Sequence, residues 1–187
     1  MTANDDEEPR PFTSAADLDA WLTAHPAPHA GLWVKIAKKG SGQLSVTAAE
    51  VNDLALCHGW ITGQRRSLDA AYFLQRITPR RRGSLWSVVN VHRVAELAAA
   101  GRMRPAGLAE VDAARADGRW EAAYASQKNA TVPDDLAAAL DHNPRAKAAF
   151  DKLGRTDRYQ VMLGLLQALT PRTRAARLAS VIGKLEA

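Results

Sequence analysis

The sequence predicts an α+β protein that is mostly helical, with a small antiparallel sheet packed against helices and a C-terminal helical bundle. Residues 31–38 (GLWVKIAK) alternate apolar and polar side chains, which is typical of a strand. Residues 60–64 and 72–77 form two further short runs separated by polar residues, in the manner of paired strands. Most of the remaining chain carries helix-start signals and apolar residues at helical spacing.

The helix boundaries are predicted from capping residues and from breakers. Thr13 or Ser14 caps a first helix that ends before Pro26. Thr47 and Glu50 form a capping-box pattern at the start of a second helix. Further helices are predicted from Ser84 to Gly101, from Pro105 to Ala116, and with starts at Pro133, Pro144, Thr156 and Pro171.

These elements divide the chain into three parts. Residues 1–11 are acidic, contain two prolines and lack apolar periodicity, so we predict a disordered leader. Residues 12–125 are predicted to form a mixed α+β core. Residues 126–187 are alanine-rich and are predicted to form a helical region packed on that core.

The body of the protein is basic, with a formal net charge of +5 and a pI near 9.7 for the whole chain. Such a charge attracts phosphates and acidic surfaces without specifying a partner. The sequence has no secretory signal pattern and no apolar run of membrane-spanning length, so we expect no membrane insertion. The single cysteine, Cys57, excludes an internal disulfide and fits a reducing compartment, and we therefore expect a cytoplasmic location.

Residues 56–93 concentrate seven arginines and two tryptophans around a single acid. In the predicted helix, Trp86, Asn90 and Arg93 fall at i, i+4 and i+7, which would place a ring, an amide and a guanidinium on one face. Such a set can stack a planar group and hold a phosphate or a carboxylate. We therefore predict a ligand-binding site, with one lysine as an outlying charge, formed by Lys35, Trp60, Arg76, Arg80, Trp86, Asn90 and Arg93.

Each of these features also has a structural interpretation. Trp86 can pack inside the protein while Asn90 and Arg93 bond to neighbouring segments, and Arg80–Arg82 can form a solvated loop. Side chains of adjacent helical residues point about 100° apart, so Cys57 and His58 are not predicted to act together. We predict no catalytic residues, no cofactor and no metal site, because neither metal-ligand spacing nor a phosphate-binding glycine loop is present.

Several segments over residues 12–124 resemble the YdeI/OmpD-associated family, also called the bacteriocin-protection family. In order, they read FTSAADLDAWL, GLWVKIAKKGSG, ALCHGWITG, ITPRRRGSLWSVVNVHR and MRPAGLAEVDAARADGRW. The GWI element and the pattern PRR-x-x-S-x-W-S-x-x-N-x-x-R are the most specific. The resemblance implies a role in stress or antimicrobial resistance and does not imply a particular reaction.

The chain departs from the family pattern in two places. Thr62 stands where the family usually has the aspartate of GWID, so any role of that carboxylate is absent. The C-terminal element resembling AK-x-P-E-T-R-x-x-R-I keeps Arg174 and Arg177 but lacks the lysine and the glutamate. The basic end of that element is therefore retained with a different charge balance.

We therefore expect a non-catalytic binding protein with a stress or antimicrobial-resistance role. Its Arg/Trp-lined site would hold an anionic or aromatic small molecule or an acidic peptide. Two alternatives are open, a nucleic-acid-associated protein without a recognisable reader motif, and an enzyme acting on an anionic or aromatic small molecule. The leucine-rich C-terminal helices also leave a homodimer open.

Overall fold

The structure, a computed structural model, describes residues 8–187. Within this range the chain forms eight helices and four strands, which confirms the predicted α+β class. The chain divides into two compact units, one made of residues 8–84 and 92–117 and the other of residues 85–91 and 118–187. This division differs from the predicted one at residue 125, and the packing of the C-terminal region on the core stays a prediction.

The first unit contains one sheet with the strand order β1-β2-β4-β3. β1 pairs in parallel with β2, and the other neighbours are antiparallel, so the sheet is mixed rather than purely antiparallel as predicted. The strands are β1 (Arg10–Pro11), β2 (Leu32–Ala37), β3 (Trp60–Ser67) and β4 (Tyr72–Pro79), and the helices lying wholly in this unit are α1 (Ala15–Ala24), α2 (Ala48–Cys57) and α4 (Pro105–Ala116).

β1 corrects one end of the predicted leader. Arg10 and Pro11 pair with Val34 and Lys35 of β2, instead of belonging to a disordered segment. The reason lies in the next residue, Phe12, which is buried in the core and whose carbonyl accepts from the Val46 amide at 3.0 Å. Residues 1–7 of the predicted leader lie outside the described residues.

α1 and α2 begin where the capping signals predict. The Ser14 hydroxyl accepts from the Asp17 amide at 3.2 Å, and the Asp17 carboxylate accepts from the Ser14 amide at 3.1 Å. Thr47 and Glu50 form the same reciprocal pair at α2. Each box satisfies two backbone donors that have no partner within the helix. The apolar sides of these helices and of β2 then meet in one core, contributed by Leu18, Trp21, Leu22, Leu32, Val34, Ile36, Val51, Leu54 and Ala55.

The paired strands β3 and β4 are longer than predicted. Each has eight residues, and the register shifts between Thr62 and Arg65, which marks a bulge. The Asp69 carboxylate accepts from the amides of Ala71 and Tyr72, both at 2.8 Å, and so fixes the connecting turn. Aspartate in this turn therefore allows the pairing to extend beyond the apolar runs.

Helix α3 (Val88–Ala99) starts later than predicted. The Ser87 hydroxyl accepts from the Asn90 amide at 3.3 Å, which is a helix-capping bond. Trp86 precedes the cap, and its carbonyl accepts from the Tyr124 amide at 3.0 Å. The prediction that Trp86, Asn90 and Arg93 share one helical face is therefore wrong, because Trp86 is not helical.

An ion pair joins α3 to α2 within the first unit. Arg93 donates to both carboxylate oxygens of Asp53, from Nε at 2.6 Å and from Nη2 at 2.5 Å. Arg102 adds a longer contact at 3.4 Å. The Arg93 hydrogen bonds lower the pKa of Asp53, in spite of the opposing effect of burial.

α4 spans the predicted residues and packs very closely against the end of α2. The Arg104 amide donates to the Cys57 carbonyl at 3.1 Å. A Cβ atom placed on Gly107 would lie 2.2 Å from that same carbonyl oxygen. Only glycine therefore allows the start of α4 to approach the α2 backbone this closely.

The second unit is helical, with α5 (Asp134–Asp141), α6 (Pro144–Lys152), α7 (Arg155–Leu166) and α8 (Pro171–Glu186). The predicted starts agree to within one residue. α8 has no fully buried residue, although several of its apolar side chains are partly buried against the core. That core is formed by Leu136, Leu140, Ala146, Phe150, Met162 and Leu165. Among residues 8–187, no helix is both long enough and apolar enough to cross a membrane, and the homodimer stays a prediction.

We predict that Gly107→Ala lowers the free energy of unfolding by about 1–3 kcal/mol, because the new methyl group collides with the α2 backbone. Gly183→Ala in α8 is the matched control, since nothing lies within 4 Å of the place that its Cβ atom would take. There the same change favours the helix by up to about 1 kcal/mol. Urea denaturation followed by circular dichroism measures both variants, and a Gly107→Ala protein as stable as the parent would contradict the close packing.

We predict that Asp53→Asn destabilises the protein by about 1–3 kcal/mol near neutral pH, because it removes the negative charge and replaces one of the two oxygens that accept from Arg93 with an NH₂ group. The folded-state pKa of Asp53 is lowered, so this stabilisation is complete above the ordinary aspartate pKa and disappears as the pH falls through the lower folded value. The stability difference between parent and variant should therefore shrink below about pH 4.

Glu96→Gln is the control for this pair. Glu96 also contacts Arg93, but its side chain is 62% exposed, so its removal should cost less than about 1 kcal/mol. Equal losses in the two variants, or a difference that does not depend on pH, would show that Asp53 does not hold α3 as described.

Candidate ligand-binding cavity

A cavity of about 500 Å³ opens in the first unit. Five segments meet around it, namely the end of α1, the loop after α1, the α2–β3 junction, the end of β4 and the start of α4. Its walls are mostly apolar, with four ionisable side chains among them. The lining residues are Leu22, Thr23, Pro26, Ala27, His58, Gly59, Trp60, Arg80, Arg104, Pro105, Ala106 and Glu110.

The α2–β3 junction is the centre of this arrangement. Gly59 has a φ of 74°, which favours glycine, and a Cβ atom there would lie 2.9 Å from the Ala106 carbonyl oxygen. The turn at Gly59 separates His58, directly after α2, from Trp60, the first residue of β3, and both residues line the cavity. The Gly59 carbonyl also accepts from the Arg80 amide at 3.0 Å, which fixes the backbone of Arg80 beside the cavity.

His58 belongs to a charged hydrogen-bond chain. Its Nε2 lies 2.7 Å from Asp19 Oδ1, and Arg104 Nη2 donates to Asp19 Oδ2 at 2.6 Å. Burial opposes the charge on Asp19, but the hydrogen bonds from His58 and Arg104 outweigh it and lower the pKa of Asp19. Since Asp19 occupies Nε2, Nδ1 is the ring nitrogen of His58 that a bound molecule could use.

The cavity lining contains two arginines and one acid. Arg80 is 6% exposed, and Arg104 is half exposed at the start of α4. Glu110 is the one acid among the lining residues. Apolar walls of this kind can take up an aromatic or aliphatic body, and arginine is the side chain best suited to bind a carboxylate or a phosphate beside it.

The neighbouring Cys57 is not suited to nucleophilic chemistry. Its side chain is 1% exposed, and burial raises the pKa of the thiol, which keeps it protonated near neutral pH. Within residues 8–187, no group of three or more His, Cys, Asp or Glu side chains is placed to hold a metal ion. Any proton transfer in the cavity would therefore involve His58 rather than Cys57.

Two of the seven predicted site residues line this cavity. Trp60 and Arg80 come from the ends of adjacent strands and meet at the same opening. Trp60 is also a structural residue, with its ring 1% exposed and packed edge-on against Trp21 at 5.9 Å and tilted against His29 at 5.5 Å. It therefore forms a rigid wall of the cavity rather than an open stacking platform.

The other five predicted residues lie elsewhere. Lys35 and Arg76 lie on the strands β2 and β4, outside the cavity lining. Arg93 is bound to Asp53. Trp86 and Asn90 belong to the second unit, where Trp86 is buried with its ring centre 4.9 Å from that of Trp120.

The Asp19–His58–Arg104 group of hydrogen bonds is hard to predict from the sequence. The place of His58 on an apolar helical stripe predicts a packed histidine, and its partner Asp19 lies 39 residues earlier. The close α2–α4 packing brings Arg104 to the same carboxylate. The one local signal is Gly59 directly after the helix, which predicts where α2 ends but not what the turn brings together.

In the second unit, the two arginines retained from the family pattern hold helices together. Arg174 donates to both oxygens of Asp135, at 2.6 and 2.8 Å, and to the Leu165 carbonyl at 3.0 Å. Arg177 donates to the Gly164 carbonyl at 2.5 Å. These bonds join α8 to α5 and satisfy carbonyls at the end of α7.

Comparison with known families matches two parts of the chain. Residues 10–110 match a domain of unknown function, DUF8412. Residues 129–187 match the family described as bacteriocin-protection, YdeI or OmpD-associated. This confirms the family resemblance, although most of the segments that carried it lie within residues 12–124, ahead of the matched region.

No curated protein and no solved structure matches the chain. The DUF8412 match covers more than half of the residues and coincides with most of the unit that holds the cavity. The family match at the C terminus covers α5 to α8. The chain therefore belongs to the DUF8412 family, and its residues 129–187 match the family described as bacteriocin-protection, YdeI or OmpD-associated.

Proposed function

We propose that this protein is a non-catalytic binding protein that holds a small aromatic anion in the cavity of its first unit. The observation that carries the proposal is the cavity itself, in which apolar walls surround the buried Arg80 and His58, whose Nε2 is held by Asp19 from outside the cavity lining. The C-terminal match to the bacteriocin-protection family supports a role related to that family. Binding of an antimicrobial compound or of a stress metabolite would account for both the cavity and the C-terminal family match.

The size of the cavity favours a small molecule over the acidic peptide that the sequence also allowed. About 500 Å³ lies in the range of sites that bury most of a small ligand. Ala27 and Ala106 are exposed and line the opening, so a ligand can enter without rearrangement of the core. We also propose a cytoplasmic location, because the single cysteine fits a reducing compartment.

One observation favours an enzyme as a second candidate. His58 lines the cavity, and Asp19 holds its Nε2, which is how a carboxylate orients a histidine that exchanges protons. In this candidate, His58 Nδ1 would take a proton from the bound molecule. Glu110 is the other proton-exchanging side chain of the lining, and among the described residues no hydrogen bond or ion pair joins it to His58, so binding is the preferred function.

We predict that phenyl phosphate and indole-3-acetate stabilise the protein in a thermal-shift assay, by a few degrees at concentrations well above Kd. Benzyl alcohol and indole-3-acetamide, which keep the ring but lack the charge, should give a smaller shift. Proton NMR of the same mixtures over several hours should show unchanged probes. New product signals that depend on His58 would favour the enzyme candidate instead.

Ala106→Leu tests whether the probes bind in the cavity, because the larger side chain fills the opening without removing a hydrogen bond. Ala109→Leu is its matched control, since Ala109 is an exposed alanine of the same helix outside the cavity lining. The thermal shift should disappear in Ala106→Leu and persist in Ala109→Leu. A shift that survives in both variants would place the ligand elsewhere and contradict the proposal.

A further inference from the structure

The sheet of the first unit has a face turned away from the apolar core. Side chains alternate along a strand, and Leu32, Val34 and Ile36 of β2 belong to the core. Trp33 and Lys35 therefore point to the opposite side. Their register partners on β4 are Arg76 and Leu74, and Leu74 pairs in turn with Arg66 of β3. We call the set Trp33, Lys35, Arg66, Tyr72 and Arg76 the outer sheet face.

Cations cover the aromatic rings of the outer sheet face. The Arg66 guanidinium carbon lies 3.9 Å from the centre of the Trp33 ring, and that of Arg76 lies 5.6 Å from it. Lys35 Nζ lies 4.0 Å from the centre of the Tyr72 ring. Trp33 is only 2% exposed, whereas Arg66 is exposed above it. Cationic side chains therefore lie between the solvent and a buried aromatic ring.

These cations have no acidic partner within the described part of the chain. Strands β2, β3 and β4 contain no aspartate or glutamate. Arg76 donates a hydrogen bond from Nη2 to the Ala30 carbonyl, and its Nη1 is buried without a hydrogen-bond partner, so Lys35 and Arg66 are the cations of this face with no side-chain hydrogen bond within residues 8–187. The carboxylate of nearby Asp69 accepts two backbone amides of the turn. The positive charge of the outer sheet face is therefore available to an anionic partner.

We propose that the outer sheet face binds single-stranded nucleic acid, with phosphates at Lys35, Arg66 and Arg76 and bases stacked on the guanidinium planes. Single strands are commonly held by an open sheet or groove that combines cations with flat stacking groups. An acidic peptide would use the charges but not the flat stacking surface. This inference goes beyond the proposed ligand, because none of the residues of this face lines the cavity.

Fluorescence anisotropy with a labelled 12-nucleotide oligo(dT) tests the proposal on the full chain. We expect binding at 50 mM salt whose logarithm falls with log salt at a slope of about −2, which corresponds to roughly three phosphate contacts. A 12-mer of abasic sites carries the same charge and should bind several-fold more weakly, about 3–10-fold, because it cannot stack. Polyglutamate of similar length should compete poorly.

Arg66→Gln and Arg65→Gln form a matched pair on one strand. Arg65 pairs with Gln75 and lies over the Phe73 ring on the core side of the sheet, so it carries the same charge on the opposite face. Arg66→Gln should weaken oligo(dT) binding about 3–10-fold and reduce the salt slope by about 0.7, whereas Arg65→Gln should change either little. If Arg66→Gln lowers the Tm, Lys35→Gln on β2 replaces it as the variant that tests whether the outer sheet face binds oligo(dT).

Four results would overturn the proposal. They are absence of binding at 50 mM salt, equal weakening by Arg66→Gln and Arg65→Gln, equal affinity for the abasic strand, and displacement by polyglutamate as effective as by unlabelled oligo(dT). Equal weakening by the two arginine variants would show that oligo(dT) binding depends on the overall positive charge of the protein and not on the outer sheet face. The last would assign the face to acidic peptides.

Discussion

The first unit depends on the close approach of the start of α4 to the end of α2. A Cβ atom at Gly107 would collide with the Cys57 carbonyl, and one at Gly59 would crowd the Ala106 carbonyl. Two glycines thus let two backbones touch where any side chain would separate them. The contact brings Arg104 to Asp19 and sets His58 and Trp60 across the cavity from Pro105 and Ala106. The cavity, the Asp19–His58–Arg104 hydrogen bonds and the turn at Gly59 therefore all depend on this one backbone contact.

The local features of the fold could be predicted from the sequence, because their causes lie within a few residues. The capping boxes at Ser14 and Thr47 and the proline at the start of α4 each act over one helical turn. The paired strands are recognisable from their apolar runs, but their full length depends on the Asp69 turn. The predicted start of α3 is wrong because Ser87, and not Ser84, supplies the capping oxygen.

The candidate site is less predictable because it depends on contacts distant in sequence. Trp60 and Arg80 are predicted as ligand residues and do line the cavity, since each lies at the end of a strand beside the same turn. Arg93 resembles a ligand residue because its sequence neighbourhood is basic, yet Asp53 on another helix binds it. Asp19 and His58 could not be paired without knowledge of how α1 packs on α2.

The two basic regions of the first unit differ in what surrounds their charges. In the cavity, Arg80 and Arg104 are set in apolar walls, and Asp19 pairs with Arg104. On the outer sheet face, the cations lie over aromatic rings, and the described strands that carry them contain no acid. Charges set in the apolar walls of a cavity suit a compact ligand, whereas an open row of charges suits an extended one. In the second unit, Arg174 and Arg177 instead join helices, which gives the retained family residues a structural role.

The central claim is that the cavity is a ligand site, and the indole N–H signals of the five tryptophans test it most directly. Titration of the ¹⁵N-labelled protein with phenyl phosphate should shift the Trp60 indole signal in a saturable manner. The signal of Trp33, beneath the outer sheet face, should stay in place. An unchanged Trp60 signal at millimolar probe, or a shift of Trp33 alone, would contradict the account.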